Sequence, residues 1–299
     1  MKTNKPLVSV IMNCYNGEKF LEKAVRSVLN QKYKNWELIF FDNRSYDNSK
    51  KIFLNISKKD KRLKYFKSKK FVSLSEARNI AIKKSKGEFI AFLDVDDYWR
   101  SVKLKKQIKV LNENKHYSLI YSNCYILKDN GKKEIFAKKK LPQGNITKEL
   151  LHNYKIGILT TIVRSKILKK FLFNKKYQII GDFDLFIKIS SKFKIASIQE
   201  PLAFYRMHGS NFSRKKINLM INELETWLLE SKNLKIMKKY SFQGVIYRIQ
   251  ILKIKKYFLL NERLKAFYLI IKKPFSYKKL RYLSLLFLSK SMIKRIFYY

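Results

Sequence analysis

Acidic residues are scarce in this sequence of 299 residues: 22 Asp and Glu stand against 67 Lys and Arg, for a formal net charge of +45 at pH 7. Such a field draws a protein to polyanions, whether nucleic acid, anionic lipid or phosphorylated substrate, without choosing among them. Much of the excess is Lys accompanied by Ile, Asn, Phe and Tyr, a mixture that compositional drift of the encoding genome also produces. Arginine, the residue suited to bidentate base contacts, supplies only 12 of the 67 cations, and no recognised nucleic-acid module stands out. A nucleic-acid partner is therefore not expected, although a basic nucleic-acid-binding protein is the main rival reading from another class.

Long apolar runs are missing as well. A bilayer span needs roughly 18 consecutive apolar residues, and the longest candidate, residues 282–288, is far too short. Met1-Lys2-Thr3-Asn4-Lys5-Pro6 leads straight into a strand-like segment without the apolar core and cleavage site of a signal peptide, so a cytoplasmic protein is expected. Cys14 and Cys124 are too few for a disulfide framework; both sit in strand-like apolar runs and read as reduced core thiols. No long Pro- or Gly-rich linker and no internal repeat appears.

What is present is 46% apolar and 15% aromatic content, enough for a sizeable core in one α/β domain with an appendage. From Leu7 to Asp97 short β-rich runs alternate with helical segments, the pattern of βαβ units around a parallel sheet. Strands are predicted over residues 7–12, 36–41, 63–66 and 89–93. Helices are predicted after Asn16-Gly17, over 47–57, and from the capping box Ser73-Leu74-Ser75-Glu76 through Lys84, with Gly87 placed to end the last. Farther on, the pattern predicts strands over 117–127, 160–163 and 202–207, a hairpin turn at Asp129-Asn130-Gly131, and a helix over 182–190. Strands vanish from about Lys215. Between Ser231 and Tyr299 there are 18 Lys or Arg and a single acid, Glu262, interleaved with Ile251, Phe258, Phe267, Leu285, Phe287 and Ile293. The expected division is 1–214 and 215–299.

Two strand ends deliver carboxylates: Asp42 after the second strand and Asp94-Val95-Asp96-Asp97 after the fourth. Open α/β sheets bind ligands at this edge. Like charges this close repel unless a cation neutralises them, and an oxygen-rich site suits Mg²⁺ or Mn²⁺. The bland alternative is helix capping by Asp96 or Asp97. A divalent ion held by one or two carboxylates keeps open positions for phosphate oxygens, which points to a nucleotide-diphosphate donor. A nucleotidyltransferase on a similar fold would need a glycine-rich, basic loop after the first strand, and Asn13-Cys14-Tyr15-Asn16-Gly17 does not supply one.

These segments, together with Ser27-Val28-Leu29-Asn30-Gln31, Trp36-Glu37-Leu38-Ile39, Asp42-Asn43-Arg44-Ser45 and Ala77-Arg78-Asn79, resemble family 2 glycosyltransferases of the bacterial cell-surface polysaccharide type over residues 6–213. The resemblance implies the GT-A fold, a Rossmann-like, mostly parallel sheet with flanking helices, here followed by a basic α-helical region. It places Tyr15, Asn16 and Glu18 along the nucleotide pocket, Asp42 at the base or ribose, Arg78 near the nucleotide or its phosphates, Asp94 at the ribose and Asp96 at the metal. Gly181-Asp182-Phe183-Asp184 resembles the family's Glu-Asp motif and makes Asp182 the general base; Gly181 replaces the family's Glu, Phe186 its Trp, and Asp184 remains a rival base. Tyr205-Arg206-Met207-His208 resembles the closing segment, with Arg206 near the diphosphate and His208 a second metal-ligand candidate. The implied reaction is inverting transfer of a sugar, UDP-hexose by default, to a glycan or lipid-linked acceptor. The basic tail implies peripheral attachment to the anionic inner face of the cytoplasmic membrane; the alternative is that its helices pack their apolar faces on protein.

Overall fold

The computed structural model describes residues 5–209, 211, 216–272 and 277–298. The chain divides into two compact units: residues up to 127, 132–150 and 154–206 in the first, and 128–131, 151–153 and 207 onward in the second. The expected division at 214/215 falls on residues outside the described ones.

The first unit is built on one sheet. Strands β1 (Val8–Cys14), β2 (Trp36–Asp42), β3 (Leu63–Lys67) and β4 (Phe89–Phe92) run parallel in the order β3-β2-β1-β4. β1 and β2 are buried at every position, which is why both read as continuous apolar runs. Helices α1 (Glu18–Leu29), α2 (Ser49–Ser57) and α3 (Leu74–Lys84) connect them, and Ser73 caps α3 by accepting from the Glu76 N–H. Register pairs Cys14 with Asp42 and Ile11 with Phe92, so the segments after β1, β2 and β4 emerge at one edge.

Past β4 the sheet continues through β5 (Tyr98–Trp99), β6 (Tyr117–Lys128), β7 (Lys133–Ile135), β8 (Ile162–Arg164) and β9 (Lys194–Met207), in the order β4-β8-β6-β9-β5, with β7 paired to β6. The pairs β4–β8, β6–β8, β6–β7 and β5–β9 are antiparallel. Helices α4 (Lys103–Glu113), α5 (Thr147–His152), α6 (Ser165–Lys170) and α7 (Gly181–Ser190) lie along this half of the chain. Cys14 and Cys124 are free and buried, as expected, and burial pushes the Cys124 thiol up to about 12.

Three local expectations need correction. Residues 158–160 form a 3₁₀ turn and the strand starts at Ile162, because the Thr160 and Thr161 hydroxyls donate to the Gly157 and Ile158 carbonyls and compete with the ladder. The last strand, expected over 202–207, begins at Lys194 and runs through Pro201. α3 ends at Lys84 before Gly87, whose place is set instead by packing on β1: a Cβ there would lie 2.6 Å from both the Ser9 N and Oγ.

The second unit carries helices α8 (Ile217–Asn233), α9 (Gln243–Leu259), α10 (Arg263–Ile271), α11 (Tyr277–Ser284) and α12 (Lys290–Tyr298). Ile254, Phe258, Ala266, Ile270, Leu285 and Ile293 form its core. Much of the tail's apolar content thus packs helix against helix. Among the described residues no helix is long and apolar enough to cross a membrane.

A buried polar network ties β1 and β2 to the entry of β4. Ser9 Oγ and the Lys86 N–H donate to Glu37 Oε1 at 2.6 and 2.7 Å, the Gly87 N–H donates to Ser9 Oγ at 2.8 Å, and Lys64 pairs with Glu37 Oε2. Burial alone would raise the Glu37 carboxyl, but the bonds from Lys64, Ser9 and Lys86 hold it below its ordinary 4.5. The unfolded state binds this proton at higher pH than the folded one. The carboxylate's stabilisation is therefore complete above pH 4.5 and is lost as pH falls through the lower folded value. Urea midpoints measured against pH should show Glu37→Gln less stable at neutral pH and flatter on the acid limb than the parent chain. Gly87→Ala should cost about 1–3 kcal/mol, read as a lower Tm, because backbone blocks the added carbon.

Candidate active site

The loop after β1 is stitched to the loop after β2. Asn16, at φ 53°, accepts from the Tyr46 N–H through Oδ1 at 3.0 Å, and its own N–H donates to Ser45 Oγ at 3.0 Å. The Gly17 N–H donates to Ser49 Oγ at 2.9 Å and the Glu18 N–H to Asp47 Oδ2 at 2.9 Å. Glu18 Oε2 in turn accepts from the Asn48 N–H and Nδ2, both at 2.9 Å. A side chain at Gly17 would meet Val95 Cγ2 at 2.7 Å, so this loop also lies hard against the acidic segment after β4.

Asp42 is wholly buried. Its Oδ1 accepts from the Ser45 N–H at 2.8 Å and its Oδ2 from the Tyr65 hydroxyl at 2.7 Å, so it shapes the 43–48 loop from within. Burial, with Asp42 as partner, pushes the Tyr65 hydroxyl up. Asn43 clamps the Val72 backbone through both amide atoms, at 2.8 and 3.1 Å, and fixes the segment bearing Phe71. Tyr15, Tyr46 and Phe71 are all exposed, with Tyr15 edge-on to the other two rings at 6.0 and 4.8 Å between centroids. Tyr46 and Phe71 were not anticipated; nothing in their spacing marks them.

The three acids after β4 meet three fates. Arg78, buried on α3, donates from Nη2 to both oxygens of Asp94, at 3.0 and 3.2 Å. Asp97 is buried and accepts from the Arg206 N–H at 2.8 Å; burial, then Asp96 and Asp94, push its carboxyl well above the usual range. Asp96 stays partly exposed. Two partly exposed carboxylates beside a buried third fit a divalent cation that takes its other ligands from water and phosphate. Among the described residues no group of three or more His, Cys, Asp and Glu could enclose a metal on its own.

Arg206 rests its guanidinium over Phe20 at 4.4 Å and Tyr98 at 5.5 Å. His208 belongs to the second unit; its ring Nε2 lies 3.1 Å from Asn211 Nδ2, so ligation through that nitrogen would compete with the amide.

The segment leading to Asp182 is docked on the helix that carries Arg78. Asn79 exchanges two hydrogen bonds with the Phe173 backbone at 2.8 and 2.9 Å, Ser75 Oγ donates to the Tyr177 carbonyl, and Lys175 pairs with Glu76 at 2.7 Å. A Cβ at Gly181 would sit 2.6 Å from Ser75 Oγ. The glycine that departs from the expected Glu is what lets α7 begin so close to α3. Asp182 is partly exposed and accepts from the Phe183 N–H at 2.8 Å. Asp184 is buried and paired with Lys188 at 2.8 Å.

The family model described as glycosyl transferase family 2 matches residues 9–177. Escherichia coli WfgD, named UDP-Glc:alpha-D-GlcNAc-diphosphoundecaprenol beta-1,3-glucosyltransferase, is 35% identical over 212 residues, covering 70% of this chain and 81% of its own length. Escherichia coli WfaP, whose name describes the same activity, is 34% identical over 218 residues, covering 73% and 84%. Among solved structures, S. aureus TarS 1-349 in complex with UDP-GlcNAc superposes with a TM-score of 0.64 at 18% identity, over 88% of this chain and 79% of that one. The mannosyltransferase PcManGT from Pyrobaculum calidifontis, in complex with GDP-Man and Mn2+, does so at 0.63 and 13% identity, over 94% and 79%. At these identities the structural likeness speaks to the fold, which is GT-A. With more than half of its length matching the family and a relative aligned over four-fifths of its own, the chain belongs to glycosyl transferase family 2 and is a glycosyltransferase.

Proposed function

We propose that the protein is an inverting, metal-dependent hexosyltransferase that moves a sugar from a UDP donor to a hydroxyl of a lipid-linked glycan in cell-surface polysaccharide or lipopolysaccharide synthesis. Residues 1–214 would carry the reaction, and residues 215–299 would hold the enzyme to the anionic inner face of the cytoplasmic membrane. The observation that carries the reaction is the Arg78–Asp94 pair on α3 and the end of β4, beside the partly exposed Asp96, with Asp182 delivered by a segment docked on the same helix. The UDP-Glc donor, the diphosphoundecaprenol acceptor and the β linkage in the names of the two Escherichia coli relatives support the finer reading.

In this reading Tyr15, with Tyr46 and Phe71 beside it, offers aromatic surface to the base, and Asn16 and Glu18 hold the loop that frames it. Asp42 keeps that loop in shape from inside. Asp94, fixed by Arg78, accepts from the ribose. Asp96 would hold the divalent ion, which when bound supplies positive charge for the departing diphosphate. Arg206 adds fixed charge on the same side. A sugar hydroxyl is a poor nucleophile, so Asp182 takes its proton as the hydroxyl oxygen bonds to C1 and the bond from C1 to the diphosphate breaks. Direct displacement passes through a transition state with oxocarbenium character and inverts the anomeric centre.

Calorimetric titration with UDP, GDP and dTDP, with and without Mn²⁺, tests the donor side: UDP should bind in a metal-dependent way, and Asp96→Ala should abolish the metal dependence. On the acceptor side, Asp182→Asn should keep UDP binding and lower turnover on a lipid-linked acceptor by ~10²–10⁴-fold. Asp184→Asn should instead lower Tm and leave much of the turnover, because it breaks the pair with Lys188; the opposite split would reassign the base.

A further inference from the structure

Helix α10 has two apolar faces. Ala266 and Ile270 are fully buried in the core of the second unit. Leu264, Phe267, Tyr268 and Ile271 follow the i, i+3, i+4, i+7 spacing of one helix face and are 85%, 42%, 55% and 44% exposed. Arg263 extends this face by donating from Nη1 and Nη2 to the Leu286 and Leu288 carbonyls at 2.8 and 2.9 Å, which holds in place the turn bearing Phe287, itself 87% exposed. Cations edge the stripe: Lys265 flanks it, and Lys272 sets its ammonium 4.1 Å over the Tyr268 ring. Glu262, just before the helix, is paired with Lys265 at 3.0 Å.

We propose that this face of α10, together with Phe287, is the surface that enters the headgroup layer of an anionic bilayer. The inference rests on the membrane-side reading above and gives it particular residues. A contiguous exposed apolar stripe marks a docking surface, and the charge around it selects the occupant. With 18 basic residues and one acid from Ser231 onward, a second copy of this chain would meet the patch with the same charge, whereas anionic headgroups complement it. A nine-residue helix is too short to span, and its arrangement, apolar side chains outward and Lys and Arg at the margins, suits an orientation in the plane of the interface. The residues that the sequence pattern also offered, Phe258, Leu285 and Ile293, are excluded from this role because they are buried.

The test is flotation of the full chain with phosphatidylcholine vesicles and with vesicles of phosphatidylcholine and phosphatidylglycerol in equal parts. The parent chain should float with the anionic vesicles only, and Leu264→Gln/Phe267→Gln should cut its partitioning at least ~10-fold with Tm unchanged, since both side chains leave the fold's core untouched. In a second measurement, F267W should gain fluorescence that brominated phosphatidylglycerol quenches, against the parent chain as background. Unchanged flotation of the double variant, or an F267W chain that brominated lipid leaves unquenched, overturns the assignment of this face and leaves membrane attachment standing. A parent chain that floats with neither vesicle overturns both, whatever its UDP binding. A dimer of the parent chain in sedimentation velocity that the double variant abolishes would identify a second copy as the occupant and overturn the proposal as well.

Discussion

Like charges crowd the end of β4. Asp94, Asp96 and Asp97 leave a buried strand within four residues, and three ionised carboxylates there would repel strongly. The fold gives each a different environment. Arg78 on α3 neutralises Asp94; Asp97 turns inward, takes the Arg206 N–H and is driven by burial and its neighbours toward the protonated form; Asp96 keeps partial contact with solvent. Each solution recruits a different part of the chain. Arg78 needs α3 in place, and the same helix receives the 173–181 segment that presents Asp182. Asp97 needs β9, and the pairing of β5 with β9, starting at the next residue, brings Arg206 to it. The acidic cluster thus organises the surroundings of the candidate site.

The charge balance of the whole chain suits the proposed reading, in which donor and acceptor both carry phosphate. A chain of +45 raises the local concentration of polyanions around it. Composition does not, however, say where each charge sits. Lys103 is fully buried with its ammonium 4.1 Å over the Trp99 ring, and burial pushes it well below the ordinary lysine range. Glu37 is likewise interior, held by Ser9, Lys64 and Lys86.

The parallel half of the fold was legible because its signals are local. β1, β2 and β4 are buried on both faces and read as apolar runs, and Ser73 caps α3 with chemistry visible over four residues. β5, two residues long, exists only through its pairing with β9, and no periodicity reveals it. Thr160 looked like a strand residue because its β-propensity is local, whereas its hydroxyl's bond to Gly157 depends on the loop. Asp42 was legible as a strand-end acid but not as an interior one: its burial follows from Tyr65 on the neighbouring strand. The tail was legible as helical and basic, yet which apolar side chains remain outside was set by packing among α9, α10 and α12.

Asp182 and Asp184, two residues apart, stand in different surroundings that their spacing does not reveal. Both lie in the first turn of α7, where a carboxylate is favoured by the helix dipole, so the sequence offers no electrostatic reason to prefer one. One turn on, Lys188 donates to Asp184 Oδ2 at 2.8 Å, so that buried carboxylate already has a cation of its own helix as partner. Asp182 sits one residue after Gly181, the position where any side chain would collide with Ser75. A glycine there brings the helix start against α3, and so brings the remaining, partly exposed carboxylate to the helix that carries Arg78. The departure from the family's usual residue and the position of Asp182 are therefore two consequences of one close contact.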